Sequence, residues 1–387
     1  MGGGQVTKTG GRLSVLVRRH PVMLVLAAYG FSRLFNLVVF ALIARNQSTS
    51  VSDLLFRWDS VWLVRAAKEG WPIPDGGLSE VSQLQTTWAW PPLAPLTGRW
   101  LSNLTGVDVQ WALAFVNVSL GAVAAVILWR VAYEAFGPRV GIRAAVLWSA
   151  MPASPVLLMA YAEGLFVALA FASLLLMQRS RFVLAGLVLI PAGLTKVQVV
   201  PFAATLVVVL LYQRWQRGPA VVGSGALVFT PLLAIVSVAA WPLYVAFRFG
   251  SLNAYAQVQA AWNIWEAWPF VGTLKWTVTL VTSPNRATAF AFLALAVAIA
   301  AMLYLFKRRE RSAVFTVIGV MGPLFLMAVG AGVSTVRFAL SLPSIPAALG
   351  LWSSVSRRLV PLLMGLALSQ VAWLLIFVAA GPTEMPP

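Results

Sequence analysis

The chain has no cysteine and a single histidine, and only 10% of its residues are charged. The missing cysteines exclude disulfides, thiolate nucleophiles and thiolate-bound metals. The lone His20 lies in the basic segment "RRHP", where it reads as structural or interfacial. A zinc site or a histidine base ordinarily draws on partners that this chain lacks. Charge is the larger deficit. A soluble domain carries roughly 25% charged residues, and 60% of this chain is hydrophobic. Too little polar surface remains to cover a soluble globule of 387 residues, so lipid is the natural solvent.

Apolar runs fit that reading. A membrane-crossing helix needs about 20 apolar residues, and runs such as Phe290 to Phe306 and Leu359 to Ala380 approach or reach that length. The first run, near Pro21 to Ala44, contains Arg33 and Asn36 and has no small-residue cleavage site after it, so it reads as a retained helix. The excess of basic residues is large: 28 Lys and Arg stand against 11 Asp and Glu, a net charge of +17. In a soluble protein this would point to nucleic acid. Here many cations fall in short clusters between apolar runs, as cytoplasmic loops do, and no nucleic-acid partner is expected.

The clusters are Lys8 to Arg19, Arg139 with Arg143, Arg179 with Arg181, Arg214 with Arg217, Lys307 to Arg311, and Arg357 with Arg358. Placing all of them in the cytoplasm requires an even number of spans between neighbours. About eleven spans satisfy the condition, including runs at 142–161 and 338–355 and a short, Pro-broken pair at 182–212. The expected organisation is a cytoplasmic N-terminal segment at 1–20, one transmembrane domain at 21–380 and an outer tail at 381–387. The long outer loops fall at about 46–108 and 248–286. Most acidic residues then lie on the outer side, whereas Arg57, Arg65, Lys68 and Arg248 break the charge rule. No internal repeat of the transporter kind is visible.

Six segments combine unusual residues. "LLFRWDSVWLVRAAKEGW" suits an interfacial helix from Asp53 to Lys68. In it Asp59, between Trp58 and Trp62, is either an ion-pair partner or a partly desolvated general base. "TTWAWPPLAPL" is too rich in proline for a regular helix. In "MPASPVLLMAYAEGLFVAL", Glu163 is either a favourable charge at a helix start or a contact for a polar substrate. Lys196, in "PAGLTKVQVVP", either neutralises a phosphate or snorkels to the interface. Gln257, Gln259, Trp262 and Asn263 stand in a loop that is either an aromatic belt or a carbohydrate surface of indole faces and amides. In "GVSTVRFALSLPSIP", Arg337 is either a headgroup anchor or a bidentate phosphate ligand.

The order of these pieces, "WDS", "WAWPPLAPL", "PASPVLLMAYAEGLF", "GLTKVQ", "VQAAWN" and "STVRFALSLP", resembles the PIG-V family of membrane mannosyltransferases and its bacterial relatives. The resemblance runs from about Trp58 to Pro346. Two departures are Lys196, where the family's hairpin usually carries arginine, and Trp62, where histidine commonly follows "WDSV". The resemblance implies an all-α, GT-C-like polytopic membrane bundle with interfacial helices in its first outer loop. It implies a metal- and cofactor-independent, inverting transfer of mannose from a polyprenyl-phosphate donor to a glycolipid or glycan acceptor, at the extracytoplasmic face of the cell membrane. Asp59 would be the catalytic base. The donor phosphate would meet Arg337 and Lys196. Trp58, Trp62, Glu163, Gln257, Gln259, Trp262 and Asn263 would contact substrate. The rival reading is a transporter or flippase of lipid-linked sugars, which needs the same tryptophans and cations but no base.

Overall fold

The computed structural model describes residues 20–220, 222–262, 270–283, 285–307, 312–330, 332–354 and 356–378. The expected terminal segments at 1–20 and 381–387 lie outside them, apart from His20. The helices are α1 (Pro21–Asn46), α2 (Val51–Leu55), α3 (Asp59–Glu69), α4 (Gly77–Val81), α5 (Leu93–Thr105), α6 (Val109–Phe136), α7 (Pro138–Ser149), α8 (Glu163–Gln178) and α9 (Phe182–Gly193). They continue as α10 (Val199–Arg217), α11 (Ser224–Phe249), α12 (Ala254–Ala260), α13 (Val271–Thr282), α14 (Arg286–Lys307), α15 (Ala313–Val329), α16 (Thr335–Ala339), α17 (Ser344–Trp352) and α18 (Leu359–Trp373). Among the described residues there is no strand.

Among the described residues, six helices are long and apolar enough to cross a membrane: α1, α6, α10, α11, α14 and α18 with its π-helical extension to Val378. Three shorter apolar helices, α8, α9 and α15, join them. Large apolar side chains project from these helices with nothing packed over them, including Phe31, Leu34, Phe115, Leu293 and Leu368. That surface suits acyl chains as solvent, and the chain is a multi-pass membrane protein.

Two of the expected spans are not continuous helices. The run at 142–161 breaks after α7, and its remainder is a short 3-10 segment, Ser154–Leu158. Pro152 and Pro155 each remove a backbone donor, and a proline ring clashes with the preceding turn. The run at 338–355 divides into α16 and the nine-residue α17 around Pro343. Both broken segments are buried inside the bundle, where other helices and side chains satisfy the freed backbone groups.

Small and polar residues set how closely the helices approach. α6 packs against α8, α9 against α11, and α7 against α17. Asn117, fully buried within α6, donates through Nδ2 to the carbonyls of Val156 (2.8 Å) and Met159 (2.9 Å), and its Oδ1 accepts from the Gly164 N–H at 2.5 Å. A Cβ at Gly164 would fall 2.9 Å from the Asn117 carbonyl carbon, a backbone atom that cannot swing aside. Gly164→Ala is expected to push α8 off α6 and destabilise the protein by about 1–3 kcal/mol, as overpacking does. Thermal unfolding in detergent reads this as a lowered midpoint.

Candidate active site

The stretch expected to form one helix from Asp53 to Lys68 is two. α2 starts with a capping box, in which Ser50 Oγ accepts from the Asp53 N–H and the Asp53 carboxylate accepts from the Ser50 N–H, both at 3.1 Å. The chain then turns through Trp58, at φ 59 and ψ −125. A positive φ at a bulky residue costs on the order of 1–3 kcal/mol and persists only where surrounding structure holds it. The turn makes Asp59 the first residue of α3. There the helix dipole favours a carboxylate, and the side chain points away from the helix bulk.

Three further segments converge on it. Arg337 of α16 forms an ion pair with Asp59 across 278 residues of sequence. Its guanidinium lies 3.8 Å from Glu163, donates to Ser334 Oγ at 3.0 Å and covers the Tyr161 ring at 5.3 Å. Lys196, in the turn between α9 and α10, donates to Glu163 at 2.6 Å and sits over Phe338. The side chains of Asp59, Arg337, Lys196 and Glu163 are 16%, 14%, 10% and 4% exposed. Two carboxylates thus balance two cations in a largely dehydrated cluster. Burial disfavours the charge on Arg337, but Asp59, Tyr161 and Glu163 outweigh it and raise its pKa, so the guanidinium stays charged. Burial, and next the Asp59 carboxylate, push the Tyr161 phenol well above its ordinary value, so it stays a neutral hydroxyl.

An aromatic wall stands beside this cluster. Trp262 meets Trp62 edge to face at 4.8 Å and Trp90 at 5.5 Å. The Leu93 N–H donates to the Leu194 carbonyl at 2.8 Å, which joins the "WAWPPL" segment to the turn carrying Lys196. Gln259 is buried, and its amide nitrogen donates to the Ala89 carbonyl and the Tyr255 hydroxyl, both at 2.9 Å. It braces the wall. Gln257 is half-buried on α12, and Asn263 lies outside the described residues. Among the described residues, the buried polar atoms of these segments without a hydrogen-bond partner include Glu163 Oε2, Gln198 Oε1 and the indole nitrogens of Trp58, Trp90 and Trp262. Buried polar groups are ordinarily paired, so such a group of donors and acceptors suits a hydroxyl-rich ligand.

Asn117, Tyr161, Trp90, Gln198 and Ser334 were not among the residues expected from sequence. Asn117 had a readable signal, an amide in the middle of an apolar span. Its three hydrogen bonds hold the segment that carries Tyr161 and Glu163. Arg33, also inside an apolar span, pins the start of the same segment by donating to Ser149 and Ser154. Asn117→Leu leaves the buried Gly164 N–H unpaired, at about 1–3 kcal/mol, and takes one donor each from the Val156 and Met159 carbonyls, which keep the Met159 and Tyr161 N–H groups. A well-resolved drop in thermal midpoint is expected.

The fold is that of a polytopic, all-helical membrane bundle, and two solved structures share it. The crystal structure of the Archaeoglobus fulgidus oligosaccharyltransferase in complex with Zn and sulfate matches 91% of this chain, with a TM-score of 0.51 and 15% identity. The same archaeal protein tethered to an acceptor peptide containing the NVT sequon matches 94%, with a TM-score of 0.53 and 12% identity. This chain covers 52% and 55% of those chains, about half their length. At these identities the likeness is one of fold. No protein-family model and no curated protein matches the sequence.

Proposed function

We propose that the chain is a membrane glycosyltransferase that moves mannose, with inversion, from a polyprenyl-phosphate donor to a lipid-linked or envelope glycan acceptor at the extracytoplasmic face. The observation that carries the reading is the meeting of Asp59, Glu163, Lys196 and Arg337 in one dehydrated cluster. The GT-C-type fold supports glycosyl transfer, and the unpartnered indole and amide atoms support a sugar. Mannose rests on the ordered motifs that resemble the PIG-V family. A non-catalytic scaffold has no need to gather these four charges.

In the proposed reaction the acceptor oxygen attacks the anomeric carbon while Asp59 takes its proton. The bond from that carbon to the phosphate oxygen breaks, and its electron pair leaves with the lipid phosphate. Arg337 and Lys196 stabilise the charge that develops there. The resting ion pair fits this sequence of events. A phosphate that engages Arg337 competes with Asp59 for the guanidinium, and the carboxylate is freed as a base when the donor is in place. Glu163 keeps Lys196 oriented toward the same anion. The test is purified protein incubated with radiolabelled polyprenyl-phosphate mannose and a panel of envelope glycolipids. Labelled product is expected on at least one acceptor. Movement of intact donor between leaflets without any transfer would favour the flippase and overturn the proposal.

A further inference from the structure

We infer that a phosphate ester binds in a polar cavity at the end of the bundle opposite the charged cluster, between the ends of α6, α8, α10 and α15. The cavity has a volume of about 520 Å³, and its lining includes Glu134, Gln178, Gln213, Arg217, Ser312 and Val314. That volume lies within the roughly 300–1,000 Å³ of small-ligand sites. α8 begins at Glu163 and ends at Gln178, so about 22 Å of helix separates the cavity from the charged cluster. The site is distinct from that cluster, and the inference does not rest on the glycosyl-transfer reading. In the expected topology this is the cytoplasmic end, where the basic clusters lie.

Unmet donors select an anion. Gln213 lines the cavity and is only 6% exposed. Its Oε1 accepts from Ser180 Oγ at 2.7 Å, and its amide nitrogen has no partner among the described residues. Buried polar groups are ordinarily paired, so this donor points to a ligand. The 17-residue α15 starts at the same place. Ser312 Oγ accepts from the Phe315 N–H, and the N–H groups of Ala313 and Val314 precede the first intrahelical bonds. Val314 is buried, so its N–H is turned away from bulk water. Two such donors at the positive end of a helix dipole favour an anion.

The charge balance agrees. Glu134 lines the cavity, but its carboxylate is engaged by Arg130 at 2.8 Å and by Arg179 at 2.6 Å. Arg217 lines the cavity as well, exposed and in no ion pair among the described residues. Three guanidinium groups therefore stand against one carboxylate, an excess that suits phosphate. Gln178 adds an acceptor. Its Nε2 donates to the Val131 carbonyl at 3.2 Å, and its buried Oε1 has no partner among the described residues, which suits a hydroxyl on the esterified group. On α10, Tyr212 lines the cavity and Trp215 follows it, both exposed. Such rings mark the headgroup level of a bilayer, and basic pockets between spans hold anionic headgroups. A lipid headgroup and a soluble phosphate ester share this chemistry.

Equilibrium binding to the purified full chain in detergent checks this. The probes are glycerol phosphate, short-chain phosphatidylglycerol, and short-chain diacylglycerol, which keeps the acyl chains but has no phosphate. Saturable binding of at least one phosphate probe is expected, at least about tenfold tighter than that of diacylglycerol. Arg217→Ala removes an exposed side chain, so the fold should be untouched, and it is expected to weaken binding about tenfold, or about 1.4 kcal/mol. Gln213→Glu keeps the length of the side chain and an acceptor for Ser180 but sets a carboxylate against the phosphate, and it is expected to abolish binding. Saturation by phosphatidylglycerol alone would assign the site to a leaflet lipid, and saturation by glycerol phosphate would extend it to soluble esters. Equal affinity for diacylglycerol would mean acyl-chain binding only and would overturn the inference. So would the lack of saturation by either phosphate probe, or binding that Arg217→Ala leaves unchanged.

Discussion

Asp59→Asn is expected to lower sugar transfer by at least about a hundredfold, within the usual contribution of a general base. The substitution keeps the shape of the side chain and leaves an oxygen that can accept from Arg337. Binding of the donor should therefore change far less than kcat. The measurement is initial transfer rate in membranes at matched protein level, with donor affinity measured alongside. Asparagine cannot take the acceptor proton at neutral pH, so the loss isolates base chemistry from packing. Turnover near that of the unmodified protein would remove Asp59 from the catalytic role. Asp59→Glu carries a useful control, because it restores the proton acceptor while displacing it by one methylene. Partial recovery is expected from it.

The second large effect is expected at Arg337. Arg337→Met removes the partner of one carboxylate and a near neighbour of another, Asp59 and Glu163, both largely dehydrated. Breaking a buried pair from one side costs about 3–5 kcal/mol, since the remaining charge is left without compensation. A large fall in thermal midpoint should result, and any folded fraction should lose kcat by about a hundredfold or more through the lost stabilisation of the departing phosphate. Arg337→Lys separates the two effects. It keeps one positive charge near Asp59, so much of the stability should return. A lysine cannot present the planar guanidinium that reaches Asp59, Ser334 and the Tyr161 ring together, so activity should stay low. Recovery of both stability and activity by lysine would show that only charge matters at this position.

Several parts of this fold are legible in the sequence alone. Apolar run length located α1, α6, α11, α14 and α18 closely, because a helix in lipid must satisfy its own backbone and tolerates few charges. The pair near 182–212 was readable only in part: the apolar runs divide it at Pro201, whereas α9 ends at Gly193, Lys196 lies in the turn, and α10 runs on to Arg217 as a helix long enough to cross a membrane. Runs at 142–161 and 338–355 misled for a stated reason. Hydropathy registers burial of side chains but not the continuity of the backbone, and a protein-buried, proline-broken segment is as apolar as a membrane-crossing one. The helix expected from Asp53 to Lys68 failed for another reason. The positive φ of Trp58 is imposed by packing around it and has no glycine to announce it.

By itself, the sequence determined the solvent and the candidates. The shortage of charge required a lipid environment, and each ionisable residue in an apolar setting stood out because it is costly to leave there. Asp59, Glu163, Lys196 and Arg337 could each be singled out, but each retained a structural explanation. Only the tertiary structure decided that they meet. Asp59 and Arg337 are 278 residues apart, and no local periodicity encodes a contact across that distance. It arises from the joint packing of α3, α16 and the 156–164 segment that Asn117 and Arg33 hold in place. The same packing chose which cations share carboxylates in the dry cluster and which, such as Lys68 and Arg99, stay exposed and outside any ion pair among the described residues.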